Sequence, residues 1–143
     1  WEVVASDYRA LGLSTREHMM ALLRPRLPAG IETAATLSGS ADGARVRHAG
    51  LVVTRQRPAT AGGFVFLLVE DETGLVNVII RPDLYDRARP IIRGEPLIVV
   101  EGRLQRRDGT LNLLAARVRP IAELLGIAHS PLGRQAPRSH DFH

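Results

Sequence analysis

Cysteine is absent from the 143 residues, which excludes disulfides and thiolate metal sites outright. Lysine is absent too: all nineteen basic residues are arginine. Every cationic side chain is therefore a flat guanidinium, able to fork onto phosphate or stack on a base. No apolar run approaches the roughly 18 residues of a membrane-spanning helix, and no basic-apolar-small leader opens the chain, so no membrane partner is expected. The first residue is Trp1 rather than Met, which points to a piece of a longer cytoplasmic chain. What is present is an ordinary apolar share of 45%, sufficient for a core in a chain of one-domain length.

The net charge of +4 is unevenly spread. Residues 1–44 hold four arginines against five acids, residues 45–119 thirteen against eight, and residues 120–143 two against two. The excess sits in the central segment, and a basic balance of this kind suggests nucleic acid as a partner.

Ser14-Thr15-Arg16-Glu17 has the form of a capping box, and the short helix it opens ends before Pro25. Residues 28–44 are small, polar and glycine-bearing and read as a linker. From Arg45 the period changes to that of strands. Val46–Thr54 is one, with Gly50 marking a bulge or sharp bend. Phe64–Glu70 and Leu75–Arg81 form a hairpin around Asp71-Glu72-Thr73-Gly74. Pro82 opens a short helix carrying Leu84, Ala88 and Ile91 or Ile92 at helical spacing, which Pro90 kinks or ends. Leu97–Arg107 and Thr110–Arg119 make a second hairpin around Asp108-Gly109. Three strands, a helix and two strands is the order of a mainly β fold, the five-stranded OB-fold barrel, with one short helix between strands 3 and 4. A short N-terminal helical segment precedes it. The expected organisation is a helical end of an upstream domain over 1–27, the linker over 28–44, the barrel over 45–120, and a short helical turn and tail over 121–143.

If Glu70 pairs with Leu75, paired residue numbers in the first hairpin sum to 145. Val65, Leu67, Val69, Val76, Val78 and Ile80 then share one wholly aliphatic face, as a barrel interior requires. The opposite face mixes Phe64, Phe66 and Leu68 with Glu70, Asn77 and Arg81. In OB folds these strands form the ligand platform, flanked by the loops after strands 1 and 4. The first loop holds Arg55 and Arg57; the other region holds Arg103, Gln105, Arg106 and Arg107. Arginines around an aromatic strand pair fit a sequence-tolerant single-strand site, with Asn77 able to bond a base edge. Structural roles compete at several positions. Phe64 and Phe66 can pack instead, Asn77 can bond to backbone, and Arg106 and Arg107 can be solvated turn residues.

The run Arg55-Gln56-Arg57-Pro58, Thr60-Ala61, Phe64-Val65-Phe66-Leu67, Glu70-Asp71-Glu72-Thr73-Gly74 and Asn77-Val78, continued by Gly102-Arg103-Leu104-Gln105-Arg106, resembles the C-terminal OB region of bacterial error-prone DNA polymerases. These are paralogues of the polymerase III alpha subunit. Asp7-Tyr8, Gly12-Leu13-Ser14, His18, Leu23-Arg24 and the closing Ser139–His143 extend the resemblance over nearly the whole chain. Ala59, Gly62 and Met19 depart from the family pattern, and the missing lysine removes a phosphate contact from the first loop. The resemblance implies a parent that copies damaged templates in induced mutagenesis, using magnesium held by acidic residues upstream of Trp1. It implies single-stranded DNA as partner, with a sliding clamp and mutagenesis accessory proteins as further candidates. No catalytic residue, metal site or cofactor is expected in the chain itself. A protein-interaction barrel within the same polymerase and an anticodon-binding domain of a class II synthetase are the alternatives.

Smaller signals receive structural readings. Glu70, Asp71 and Glu72 are expected to form a solvated acidic hairpin tip, and His48 to be a neutral packed or exposed histidine. The helix over Met19–Arg24, apolar at Met19, Leu22 and Leu23, is expected to be a docking element, with Trp1 and Tyr8 docking against the upstream domain. His140, Asp141 and His143 lie in a tail with nothing to preorganise them for metal.

Overall fold

The structure, a computed structural model, describes residues 16–126. The capping serine, Trp1, Tyr8 and the tail histidines lie outside them. Helix α1 (Arg16–Leu23) runs into a 3-10 turn at Arg24–Arg26. Strand β1 (Ile31–Glu32) and helix α2 (Ala34–Ser38) follow. The five long strands are β2 (Arg45–Gln56), β3 (Val65–Asp71), β4 (Gly74–Ile80), β5 (Leu97–Arg107) and β6 (Thr110–Pro120). Helix α3 (Pro82–Gly94) joins β4 to β5, and α4 (Ile121–Leu125) ends the described chain.

The five long strands close on themselves in the order β2-β3-β4-β6-β5-β2, with β4 and β6 parallel and the other long-strand pairs antiparallel. This is the expected OB barrel. Strand β2 serves two neighbours: residues 45–50 pair with β5 and residues 51–56 with β3. The handover falls at Gly50, where a Cβ would sit 2.6 Å from the Glu70 carbonyl oxygen. The bend expected there is present, while the register shift itself lies between Val52 and Thr54. Gly102 meets the same constraint, since a Cβ would lie 1.9 Å from the Leu114 carbonyl oxygen.

The first hairpin pairs Glu70 with Leu75 and Val65 with Ile80, the register the alternation predicts. All six aliphatic inward residues are buried, none more than 4% exposed. At the hairpin's open end α3 adds Leu84, Tyr85, Ala88 and Ile92 to the barrel core. Its backbone leaves helical geometry at Ala88, two residues before Pro90, whose ring and missing N–H disrupt the preceding turn. In the second hairpin Asp108 and Gly109 both take positive φ, 53° and 77°, the signature of the tight turn that matches strand twist.

Residues 28–44, expected as a linker, are folded. β1 runs parallel to β2, and Ala34 and Leu37 of α2 join the barrel core at the hairpin-tip end. The cause is Asp71. Its Oδ2 accepts the amide of Ala34 at 2.8 Å, while its Oδ1 accepts the amides of Thr73 and Gly74 and the Thr73 hydroxyl. Thr73 Oγ1 accepts the Ala35 amide. The tip thus satisfies helix-start amides that a sequence of small residues leaves open. The acidic tip is accordingly not solvated: Asp71 is 1% exposed, and Arg24 clamps Glu72 at 2.8 and 2.9 Å and Asp71 at 3.4 Å. The Arg24 bond holds the Glu72 carboxyl below its ordinary range and raises Arg24 in turn.

A second apolar layer lies outside the barrel. Met19, Met20 and Leu23 of α1 and Ile121, Leu124 and Leu125 of α4 pack on Ala49 and Leu51 of β2 and on Leu97 and Val99 of β5. Met20 replaces Leu22 in the expected docking stripe; Leu22 is 69% exposed.

His48 is fully buried, its Nδ1–H donating to the Glu32 carbonyl at 2.8 Å, so the neutral ring carries its lone pair on Nε2. Burial pushes its pKa below the ordinary 6.5. As pH falls through 6.5 the unfolded chain takes up a proton that the folded chain refuses. The His48 contribution to stability is therefore whole above 6.5 and declines below it. Melting temperature should fall as pH drops from 7 to about 5, and His48→Asn should flatten that slope. Asp71→Ala should destabilise by roughly 3 kcal/mol in urea titrations, because several donors lose one buried acceptor.

Candidate nucleic-acid interface

Directly paired residues in a sheet point to the same side, so the register maps the outer surface. One row runs Gln56, Phe66, Ile79, Leu114, Arg103 across β2, β3, β4, β6 and β5. The next row runs Thr54, Leu68, Asn77, Asn112, Gln105 over the same strands. Phe66, Leu68 and Ile79 are half-buried, and Asn77, Gln56 and Arg103 are exposed. The rows combine one aromatic face and three aliphatic side chains with four amides and a guanidinium. That set can stack a base, bond base edges and neutralise phosphate.

Four expected site residues, Phe66, Asn77, Arg103 and Gln105, fall in these rows. Phe64 precedes β3 with the parity of Phe66 and is half-buried. Arg81 caps the end of β4 with a 68% exposed side chain, and Arg107 pairs with Thr110 beside the exposed β5–β6 turn. Three arginines are engaged elsewhere. Arg55 is 3% exposed, and its Nε and a terminal nitrogen donate to the Ile92 and Glu95 carbonyls at 2.7 and 3.1 Å. It closes the C-terminal end of α3 onto β2. Arg57 lies 4.6 Å from the centre of the Tyr85 ring, drawn toward α3 and away from the platform. Arg106 donates through its guanidinium to the Ser38 and Ser40 carbonyls, and its amide donates to Asp42. Position 106 has inward parity, so beyond the barrel's end its side chain turns onto α2.

Gln56, Thr54 and Asn112 enter the site without having been expected there. Asn112 follows from the parallel β4–β6 pairing that closes the barrel, a long-range contact that hairpin arithmetic does not reach. Gln56 stood between the two loop arginines in sequence. The alternation of β2 gives it the outward position and turns Arg55 inward.

Residues 46–121 match the OB-fold nucleic acid binding domain family, and the chain belongs to it. It is homologous to bacterial error-prone DNA polymerases. It is 43% identical over 141 residues to that of Anaeromyxobacter dehalogenans, with 98% of this chain and 12% of the relative covered. It is 40% identical to that of Caulobacter vibrioides (98% and 14% covered) and 42% to that of Xanthomonas oryzae pv. oryzae (99% and 13% covered). The chain thus spans about an eighth of the length of these curated relatives. Among solved structures it resembles the asparaginyl-tRNA synthetase of Pyrococcus horikoshii in complex with asparaginyl-adenylate. There the TM-score is 0.54 at 21% identity, covering 79% of this chain and 30% of that one. An OBody bound to hen egg-white lysozyme gives the same score at 17% identity, covering 66% and 94%. At these identities both likenesses concern the fold alone.

Arg55→Ala should act on stability. Two carbonyls at the end of α3 lose charged donors, a loss of about 2–3 kcal/mol in chemical denaturation. Oligonucleotide affinity of the folded fraction should stay within about twofold, an energy of 0.4 kcal/mol.

Proposed function

We propose that this domain holds single-stranded DNA for an error-prone DNA polymerase. The observation that carries the reading is the composition of the two outer rows. One aromatic ring, the amides of Gln56, Asn77, Asn112 and Gln105, and Arg103 share the outward side of the barrel strands. Stacking is indifferent to base identity, and the amides each offer donor and acceptor, so the face suits unpaired bases of mixed sequence. Homology to the error-prone polymerases supplies the context. In this reading the parent extends primers across damaged template in DNA repair and mutagenesis. Nucleotidyl transfer is done by acidic residues and magnesium outside this chain, which here contributes binding only. The setting is the bacterial cytoplasm, where a sliding clamp and accessory proteins are the further partners. Among the described residues no helix is long and apolar enough to cross a membrane.

Fluorescence anisotropy with labelled oligonucleotides tests the reading. Single strands should bind more tightly than duplex of the same length, and Phe66→Ala should cost about 1–3 kcal/mol, the worth of one stacked base. Equal affinity for duplex, or an unchanged Phe66→Ala variant, would refute it.

A further inference from the structure

The first outer row does not stop at Arg103. Across the β5–β2 pairing its neighbour is Arg45, directly opposite. Both are exposed, and neither has an acidic partner within ion-pair distance among the described residues. Like charges directly opposite on neighbouring strands destabilise a sheet. The pair lines an open groove of about 760 Å³ that also takes in Arg47, Arg81 and Arg87.

Among the acids of this groove, Asp83 is paired with arginine. Asp83 lies 3.4 Å from Arg87 and 3.8 Å from Arg81. Glu101 stands opposite Arg47 in the β2–β5 register, and Arg47 also donates to the Ala29 carbonyl. Glu32 enters the wall from β1. Arg45 and Arg103 have no ion pair among the described residues. Between them and β6 the floor is made of Gly102, Ala115 and Ala116, small residues that let a ligand's backbone come close. Here β6 carries one extra residue, the register slipping between Glu101 and Gly102.

We propose that this groove is a phosphate track, carrying the backbone of a bound single strand off the platform and around the barrel. The proposal rests on the platform reading above and extends it. Continuity is the reason for choosing nucleic acid over an acidic protein. Phe66, Ile79, Leu114, Arg103 and Arg45 form one unbroken row, and three inter-strand steps, about 14 Å, separate Phe66 from Arg103. A strand stacked at Phe66 and running along the row meets these two guanidiniums next.

The test measures anisotropy on the 143-residue chain with labelled oligothymidylates of increasing length at several salt concentrations. It compares the wild type, the Arg45→Ala/Arg103→Ala double variant and Phe66→Ala. The double variant should lose the extra affinity of long over short oligonucleotides, about tenfold at low salt. Its slope of log affinity against log salt should fall by roughly 1.4, two phosphates at about 0.7 each. Short oligonucleotides should lose less than long ones, because they give up at most the Arg103 phosphate contact while stacking at the platform persists. Its melting temperature should hold or rise, since a like-charge pair has gone. Equal affinity of the double variant and the wild type at every length overturns the track, and so does an equal loss at every length. A polyglutamate peptide that loses binding to the double variant while oligonucleotides do not assigns the groove to acidic protein and overturns it too. Failure of Phe66→Ala to weaken short oligonucleotides removes the platform, and with it a track that begins there, even where the double variant loses its long-strand affinity.

Discussion

The Asp71 carboxylate ties the described segment before the barrel to the tip of its first hairpin. One oxygen shapes the β3–β4 turn by accepting from Thr73 and Gly74; the other receives the first amide of α2 and faces Arg24. A charge with almost no exposure is tolerable only when its lone pairs are filled, and here they are filled from three segments at once. The hairpin tip is consequently a fixed post on which α2 starts and to which the turn after α1 is tied. His48, 4.0 Å from the same carboxylate and bonded to the β1 backbone, completes the enclosure from β2.

That arrangement decides which outer surface remains open. Along β2 the outward residues run Arg45, Arg47, Ala49, Leu51, and along β5 they run Leu97, Val99, Glu101, Arg103. The apolar members lie under α1 and α4, and the charged ones begin where that cover stops. Each strand changes chemistry midway along one face, so the position of the helices is written into the strands they cover. Phe66, Leu68 and Asn77 are not among the residues of that apolar layer.

Legibility of the sequence followed the range of the interactions. The first hairpin's register could be read from residues 65–80 because its partners are near in sequence and only one alignment buries six aliphatic side chains. The Asp108-Gly109 turn was equally local. Residues 28–44 read as a linker because their small residues carry no pattern of their own; their structure comes from Asp71 and Thr73, more than thirty positions away. The arginines misled for a related reason. Proximity to a loop placed Arg55, Arg57 and Arg106 at the platform, yet parity and distant carbonyls or a ring claim them. Asn112 was hidden for the opposite reason, since only barrel closure brings it beside Asn77.

An all-arginine composition sharpens this point. Guanidinium serves equally well as a multi-carbonyl donor, a carboxylate clamp, a ring partner and a phosphate contact, so residue type alone does not separate structural from binding roles. What separates them is whether the donors already have acceptors within the fold. Arg24, Arg55 and Arg106 have theirs, so they bind the molecule to itself. Arg45 and Arg103 face one another with none among the described residues, and the unbalanced charge of the central segment is concentrated where the covering helices end. The electrostatics of the barrel therefore depend on place: Arg24, Arg55 and Arg106 are consumed in holding the fold, and Arg45 and Arg103 stand where an anionic partner can reach them.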